Sequence, residues 1–283
     1  MSERPRTAFL AFFVALTGLP IAAAAPAIAA DASRWDDGLQ SSVRLIAART
    51  KGEGAERIHR AGIEFKLNTG WKTYWRYPGD SGVPPHFDFS DSENLKKADV
   101  LYPAPHLFTD ETGQSLGYKD TVIFPVVVSP QQAGKPVRLR VKVDYAVCEK
   151  LCVPAEGRAE LTLVTGDSKH NPALTTAETH VPKQVTATQL GLTTKRVNTG
   201  AKPSVIVELG APTGKPVELF VEGPTPQWAL PIPKPVKSAP AGRAQFSFDL
   251  DGLPPGVDPK SQLDLTFTVI TGDRAVETKT HLD

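Results

Sequence analysis

Along most of the chain, apolar and polar residues alternate in short runs separated by turn residues. "SSVRLIAA" (41–48), "RIHRAGIEFKL" (57–67), "PHFDFS" (85–90), "LKKADVLYP" (95–103), "TVIFPVVVS" (121–129), "VRLRVKVDY" (137–145) and "AELTLV" (159–164) each read as a strand. Successive side chains of a strand point to opposite faces, so a period of two marks one buried face and one wetted face. A second set follows: "SVIVELGA" (204–211), "VELFVEG" (217–223), "AQFSFDL" (244–250), "LDLTFTVI" (263–270) and "AVETKTHL" (275–282). Helical periodicity is scarce. The exception is "GDSKHNPALTTAETHVPK" (166–183), where Asn171 as N-cap and Pro172 at the first helical position predict one short helix. "PTPQWALPIPKPVKSAP" (224–240) is too proline-rich for a central strand.

The pattern predicts an all-β protein built of sandwiches. We expect a leader over 1–30, a first β domain over 35–165, a linker with a short helix over 166–186, and a second, smaller β-sandwich over 187–283. The leader rests on Arg4 and Arg6, the apolar "TAFLAFFVALTGLP" and the small-residue stretch "IAAAAPAIAADAS". Positive, apolar and small-residue regions in that order are the pattern of a secretory signal, with cleavage near Ala29 or Ala30. A retained membrane anchor is the alternative. An exported protein in the bacterial periplasm meets an oxidising compartment, where disulfides persist.

Charge adds little. Lys and Arg total 32 against 31 Asp and Glu, so there is no basic field for nucleic acid and no acidic tail. A monomer is expected. No G-x-S-x-G, H-E-x-x-H or phosphate-binding glycine loop occurs, and no cofactor or metal is implied.

The chemistry concentrates in "YAVCEKLCVP" (145–154), which holds both cysteines of the chain, Cys148 and Cys152. Four extended residues span roughly 13 Å, whereas a disulfide needs Cα atoms within about 7 Å. If the two pair, the chain must turn between them, giving strand, bent loop, strand. A bridge over so short a loop removes little chain entropy, which favours redox chemistry over stapling. Exchange needs a thiolate that attacks a disulfide sulfur. Lys150 favours the thiolate and Glu149 opposes it.

"VDYAVCEKLCVPAEG", taken with "GWKTYWRYPGDSGVPPHFDF" (70–89) and "GYKDTVIFPVVV" (117–128), resembles the N-terminal periplasmic domain of the thiol:disulfide interchange protein DsbD. It is most similar to the branch that includes the suppressor-of-copper-sensitivity proteins. The resemblance covers roughly residues 40 to 165. It implies an immunoglobulin-like sandwich whose Cys148 and Cys152 exchange disulfides with thioredoxin-like periplasmic partners. It also implies that the second cysteine joins the partner. The family's membrane and thioredoxin-like domains have no counterpart here, so a separate membrane electron donor is expected. Better-known members place five residues between the cysteines, against three here, and cover them with an Asp-Glu-Phe-Tyr-Gly cap. The matching stretch here is "LFTDETGQSLGY" (107–118), where Asp110 and Glu111 are kept and Thr112 and Gly113 replace the aromatic pair. Phe108 and Tyr118 are the candidates to take over the shielding, and Tyr145 precedes the first cysteine as in the family. Asp110 and Glu111 equally fit an ordinary turn.

Trp71, Tyr74 and Trp75 are read as core packing in preference to a recognition face, followed by a "PGDSG" turn in which Gly79 and Gly82 permit positive φ. His86 and His106 are read as surface or structural. The second block has no cysteine and reads as a docking or spacing module. Three functions remain open: a redox shuttle, a copper-handling protein using the two thiols, and a binding or chaperone-like sandwich.

Overall fold

The structure is a computed structural model. It describes residues 1, 30–51, 58–80, 82–111, 113–163, 166, 168–198, 202–211, 215–237 and 239–283, with backbone alone at 49–51. Residues 2–29, which carry nearly all of the expected leader, and Thr112 of the cap stretch lie outside the described residues. No helix of the described residues is long and apolar enough to cross a membrane.

The first block forms β1 (Asp36–Asp37), β2 (Ser41–Lys51), β3 (Ile58–Leu67), β4 (Lys72–Gly79), β5 (His86–Asp88), β6 (Leu95–Val100), β7 (His106–Asp110), β8 (Gly113–Lys119), β9 (Thr121–Pro130), β10 (Val137–Cys148) and β11 (Cys152–Leu163). Helix α1 (Asn171–His180) follows. The rest of the chain gives β12 (Lys183–Gln184), α2 (Ala187–Leu190), β13 (Thr193–Val197), β14 (Ser204–Gly210), β15 (Val217–Glu222), β16 (Lys234–Pro235), β17 (Arg243–Asp249), β18 (Leu263–Thr271) and β19 (Arg274–Leu282). One sheet of the first sandwich runs β1-β2-β3-β9-β6. The facing sheet runs β11-β10-β4-β8-β7, with β5 also on β10. The second sandwich pairs sheets β12-β19-β18-β15 and β13-β14-β17-β16. The fold is thus all-β, an immunoglobulin-like sandwich followed by a smaller one.

The alternating runs fill the first core as their period demands. Ile63 and Phe65 of β3, Phe124 and Val126 of β9, and Leu139, Val143 and Tyr145 of β10 are all buried in it. Phe65 meets Tyr145 edge-on at 5.0 Å and Phe124 at 5.4 Å. Burying each such side chain stabilises by about 1.5–3 kcal/mol. Trp75 lies in this core, fully buried, and Trp71 packs at its margin. Gly79 and Gly82 have φ of 85° and 144°, the left-handed conformations that the turn after β4 requires.

Helix α1 falls inside the stretch expected as a linker with a short helix, 166–186. Its N-cap is His170, and the Asn171 side chain instead accepts a hydrogen bond from Arg60 Nη1 at 2.9 Å. Arg60 also pairs with Glu178 at 2.6 Å. Leu174 is fully buried against the first sandwich. Gly62 makes room for it, because a Cβ there would fall 2.9 Å from Leu174 Cδ1. The helix is therefore a docked part of the first sandwich.

The two sandwiches share a core. Phe220 and Ile232 of the second pack with Trp75 and Tyr77 of the first. Arg76 pairs with Glu222 at 2.7 Å and also with Glu277. Burial opposes the Arg76 charge, but the two carboxylates outweigh it and hold the guanidinium firmly protonated. The Tyr77 hydroxyl donates to the Leu230 carbonyl. All of these first-sandwich groups sit in one irregular segment of β4. The register there jumps from Tyr74↔Gly117 to Gly79↔Ser115, so the chain between bulges toward the second sandwich.

Candidate functional site

The site is built at the tip of the β10–β11 hairpin. The ladder runs unbroken from Val137↔Leu163 to Cys148↔Cys152, leaving Glu149, Lys150 and Leu151 as the turn. The turn needed to bring the cysteines together is thus a three-residue one, and the two form a disulfide with Cα atoms 4.1 Å apart. Strand alternation decides which way they face. Val141, Val143 and Tyr145 point into the core and Val147 continues that face, so Ala146 and Cys148 point outward. Cys148 is nonetheless only 2% exposed, while Cys152 is exposed.

Tyr74 accounts for the difference. It lies with Ala146 and Cys148 in a small buried cluster outside the main core. Its hydroxyl donates to Cys148 Sγ at 2.7 Å and stands 3.2 Å from Cys152 Sγ. Burial first, and then the negative charge of Asp110, push its pKa up. It stays a neutral hydroxyl at any ordinary pH.

Lys72 pairs with Cys148 in the β4–β10 ladder. Its buried ammonium is held by Asp110 Oδ2 at 2.7 Å and Ser115 Oγ at 3.0 Å. That ion pair ties the cap hairpin, β7–β8, to the strand beside the disulfide. Phe108 lies alongside, its ring centroid 5.6 Å from Lys72 Nζ and 4.8 Å from Lys119 Nζ. Asp80 holds the other flank, accepting from Gln114 N at 3.0 Å. Three exposed apolar side chains stand around this corner. Leu151 and Val153 flank Cys152, and Val83 follows Gly82, whose missing side chain leaves room for the Tyr74 ring.

The expected site residues therefore divide. Cys148 and Cys152 are joined, Asp110 reaches their neighbourhood through Lys72, and Phe108 lies over the same lysine. Glu111 is exposed at the tip of the cap turn. Tyr118 and Tyr145 lie elsewhere. Tyr118 is buried on Phe124, 5.3 Å between centroids, and donates to the Pro103 carbonyl at 2.7 Å. Tyr145, on the core side of β10, hydrogen-bonds Ser41 Oγ at 2.7 Å. Its position is odd where Cys148 is even, so strand geometry turns the two apart. His86 and His106 are exposed. Among the described residues no group of three His, Cys, Asp or Glu side chains is arranged to hold a metal ion.

Sequence reasoning missed Tyr74 as a neighbour of the sulfurs, and missed Lys72 and Ser115 altogether. "KTYW" shows no alternation, so neither its strand nor the direction of its side chains could be read. The one available signal was a lysine between aromatic residues, an environment in which lysine seldom lies unless it is paired.

Chemically, the arrangement is a disulfide with one reachable sulfur, one shielded sulfur and a neutral hydroxyl donor touching both. Residues 44–164 match the family described as thiol:disulfide interchange protein DsbD, N-terminal. No curated protein matches the chain. Among solved structures, the chain is similar to the N-terminal periplasmic domain of ScsB from Proteus mirabilis, with a TM-score of 0.69 and 18% identity. That likeness covers 89% of this chain and 98% of the other, so the shared fold takes in most of both sandwiches. The family match takes in the stretch that carries both cysteines and the β7–β8 hairpin.

Proposed function

We propose that the protein works in the periplasm as a disulfide exchange protein, passing reducing equivalents through Cys148 and Cys152 to or from thioredoxin-like partners. A separate membrane protein serves as electron donor. The observation that carries this reading is the asymmetry of the sulfurs, one exposed amid Leu151 and Val153 and the other 2% exposed. Attack requires access along the S–S axis, so a partner thiolate meets Cys152. In the direction that oxidises the pair, Cys152 attacks a partner disulfide and Cys148, held behind Tyr74, resolves the mixed disulfide. Exposed apolar side chains around the reachable sulfur give a partner a surface to bury.

In this reading Asp110, Glu111 and Phe108 act as the cap. The Lys72–Asp110 pair closes the cap over the hairpin and opens when a partner docks. Residues 35–165 with α1 form the redox domain, and 187–283 form a second domain that supports it.

The test is a trapping experiment. Cys148→Ser should accumulate a covalent complex with a thioredoxin-like protein, and Cys152→Ser should not. Equal trapping by both variants, or trapping by Cys152→Ser alone, removes the assignment. Titration in a defined redox buffer separates the wider readings. A bridge that resists reduction supports a binding sandwich, and tight Cu(I) binding by the reduced form supports copper handling.

A further inference from the structure

Resting on the exchange reading above, we propose that Tyr74 is a catalytic residue, whose hydroxyl stabilises the Cys148 thiolate that leaves when the Cys152 sulfur is attacked. The step balances as follows. A partner thiolate places its lone pair on Cys152 Sγ and forms the mixed disulfide. The electron pair of the Cys148–Cys152 bond passes to Cys148 Sγ, which becomes a thiolate. The partner's second thiol, as thiolate, then displaces Cys152. The partner dithiol is oxidised by two electrons, the pair here is reduced by two, and the partner's two protons end on Cys148 and Cys152.

Tyr74 is placed for the first of these displacements. Its hydroxyl already donates to Cys148 Sγ at 2.7 Å while the bridge is intact. A disulfide sulfur is a weak acceptor, whereas a thiolate is a charged one, and hydrogen bonds to ionised groups are roughly twice as strong. The contact therefore strengthens as charge develops on Cys148, which is the requirement for lowering a barrier. Burial adds to the effect, since water does not compete for the sulfur.

The charged groups nearby do not replace this donor. Lys72 is engaged by Asp110 and Ser115, and Lys119 lies over Phe108. Glu149 and Lys150 of the hairpin turn are exposed, and Asp80 serves the cap. A neutral phenol also suits a shuttle that runs in both directions. It favours the thiolate without fixing a full positive charge beside it, so Cys148 remains a competent nucleophile for the return step.

The experiment is Tyr74→Phe, which keeps the ring and removes one oxygen. In a Cys152→Ser background the remaining thiol is Cys148, and its pKa is read from the pH dependence of alkylation. The variant should raise that pKa by about one unit and slow reduction of the intact disulfide by dithiothreitol about tenfold. A fluorinated tyrosine at position 74, a stronger donor, should move the Cys148 pKa the other way. That variant carries the test if Tyr74→Phe does not fold. A Cys148 pKa and exchange rate indifferent to both replacements overturn the role of Tyr74 and leave the exchange reading intact. Wild-type protein inert toward dithiothreitol refutes the exchange reading itself.

Discussion

The two sandwiches are alike in architecture and unlike in what they bury. All five tyrosines of the chain and both cysteines lie in the first. The second core is made of aliphatic residues, phenylalanines and Trp228. Each tyrosine hydroxyl of the first has a partner: Sγ of Cys148, the carbonyls of Leu230, Pro85 and Pro103, and Ser41 Oγ. Buried hydroxyls cost free energy unless they are paired. The first sandwich therefore has its geometry specified at many polar points, one of them the disulfide. The second has no tyrosine, and among its described residues the buried polar groups are Thr268, Glu277 and Thr278 of the β18–β19 pair. It meets the first at the bulged segment of β4, directly after Tyr74. The disulfide thus sits in the sandwich that is pinned by tyrosine hydroxyls, and the other sandwich carries none of them.

The two sandwiches differ most at high pH. All five tyrosines have pKa values raised above the usual 10.0, burial being the largest cause in each, and Tyr102 is pushed up to about 12. A folded-state pKa above the unfolded value means that the native state holds its proton more tightly. The stability this contributes is fully present below about pH 10 and is lost as pH rises through the folded values. Tyr102 alone then accounts for a loss of about 3 kcal/mol once pH has risen past 12. Phenolate absorbance should stay flat through pH 10 and appear together with unfolding. Ordinary tyrosine titration in a folded protein would contradict the shared burial.

Next in size is removal of the second sandwich. A chain ending at residue 185 uncovers Trp75 and Tyr77 and leaves Arg76 without its two carboxylates. We expect a loss of about 3–5 kcal/mol in urea unfolding, comparable with large-to-small core substitutions. Unchanged stability would make the second domain the independent spacer that the sequence alone suggests.

Smallest in stability is Lys72→Met, which removes the ion pair between Asp110 and β4. It should cost about 1–2 kcal/mol and speed oxidation of the reduced pair by small oxidants several-fold. Shortening residues 109–114 should do the same to the oxidation rate. If neither change alters that rate, the cap does not shield the sulfurs.

The regular parts of the fold were legible. The run 137–145 alternates cleanly because one face meets a core and the other water, and its strand keeps that facing. The hairpin turn between the cysteines followed from reach alone. The strands nearest the chemistry were not legible. Lys72 through Trp75 of β4 are buried one after another, since the strand is covered on both faces, so the period of two that betrays a strand is absent. The sharing of a core between domains was hidden for the same reason, because Trp75, Phe220 and Ile232 look like any other core residues in sequence. The family resemblance points to Tyr145 as the tyrosine shortly before Cys148, and strand alternation sends a residue three positions away to the opposite face.

Cys148 and Cys152 face each other as a ladder pair at the end of twelve matched positions, so backbone hydrogen bonds and the core hold them together whether or not the sulfurs are joined. Their bridge closes a loop too short to restrain the unfolded chain by much. Oxidation and reduction then leave the fold almost equally stable, and the two redox states differ mainly at two atoms. For such a protein the disulfide is cargo, not mortar. On the exchange reading proposed above, its partners and not its own folding set which form predominates.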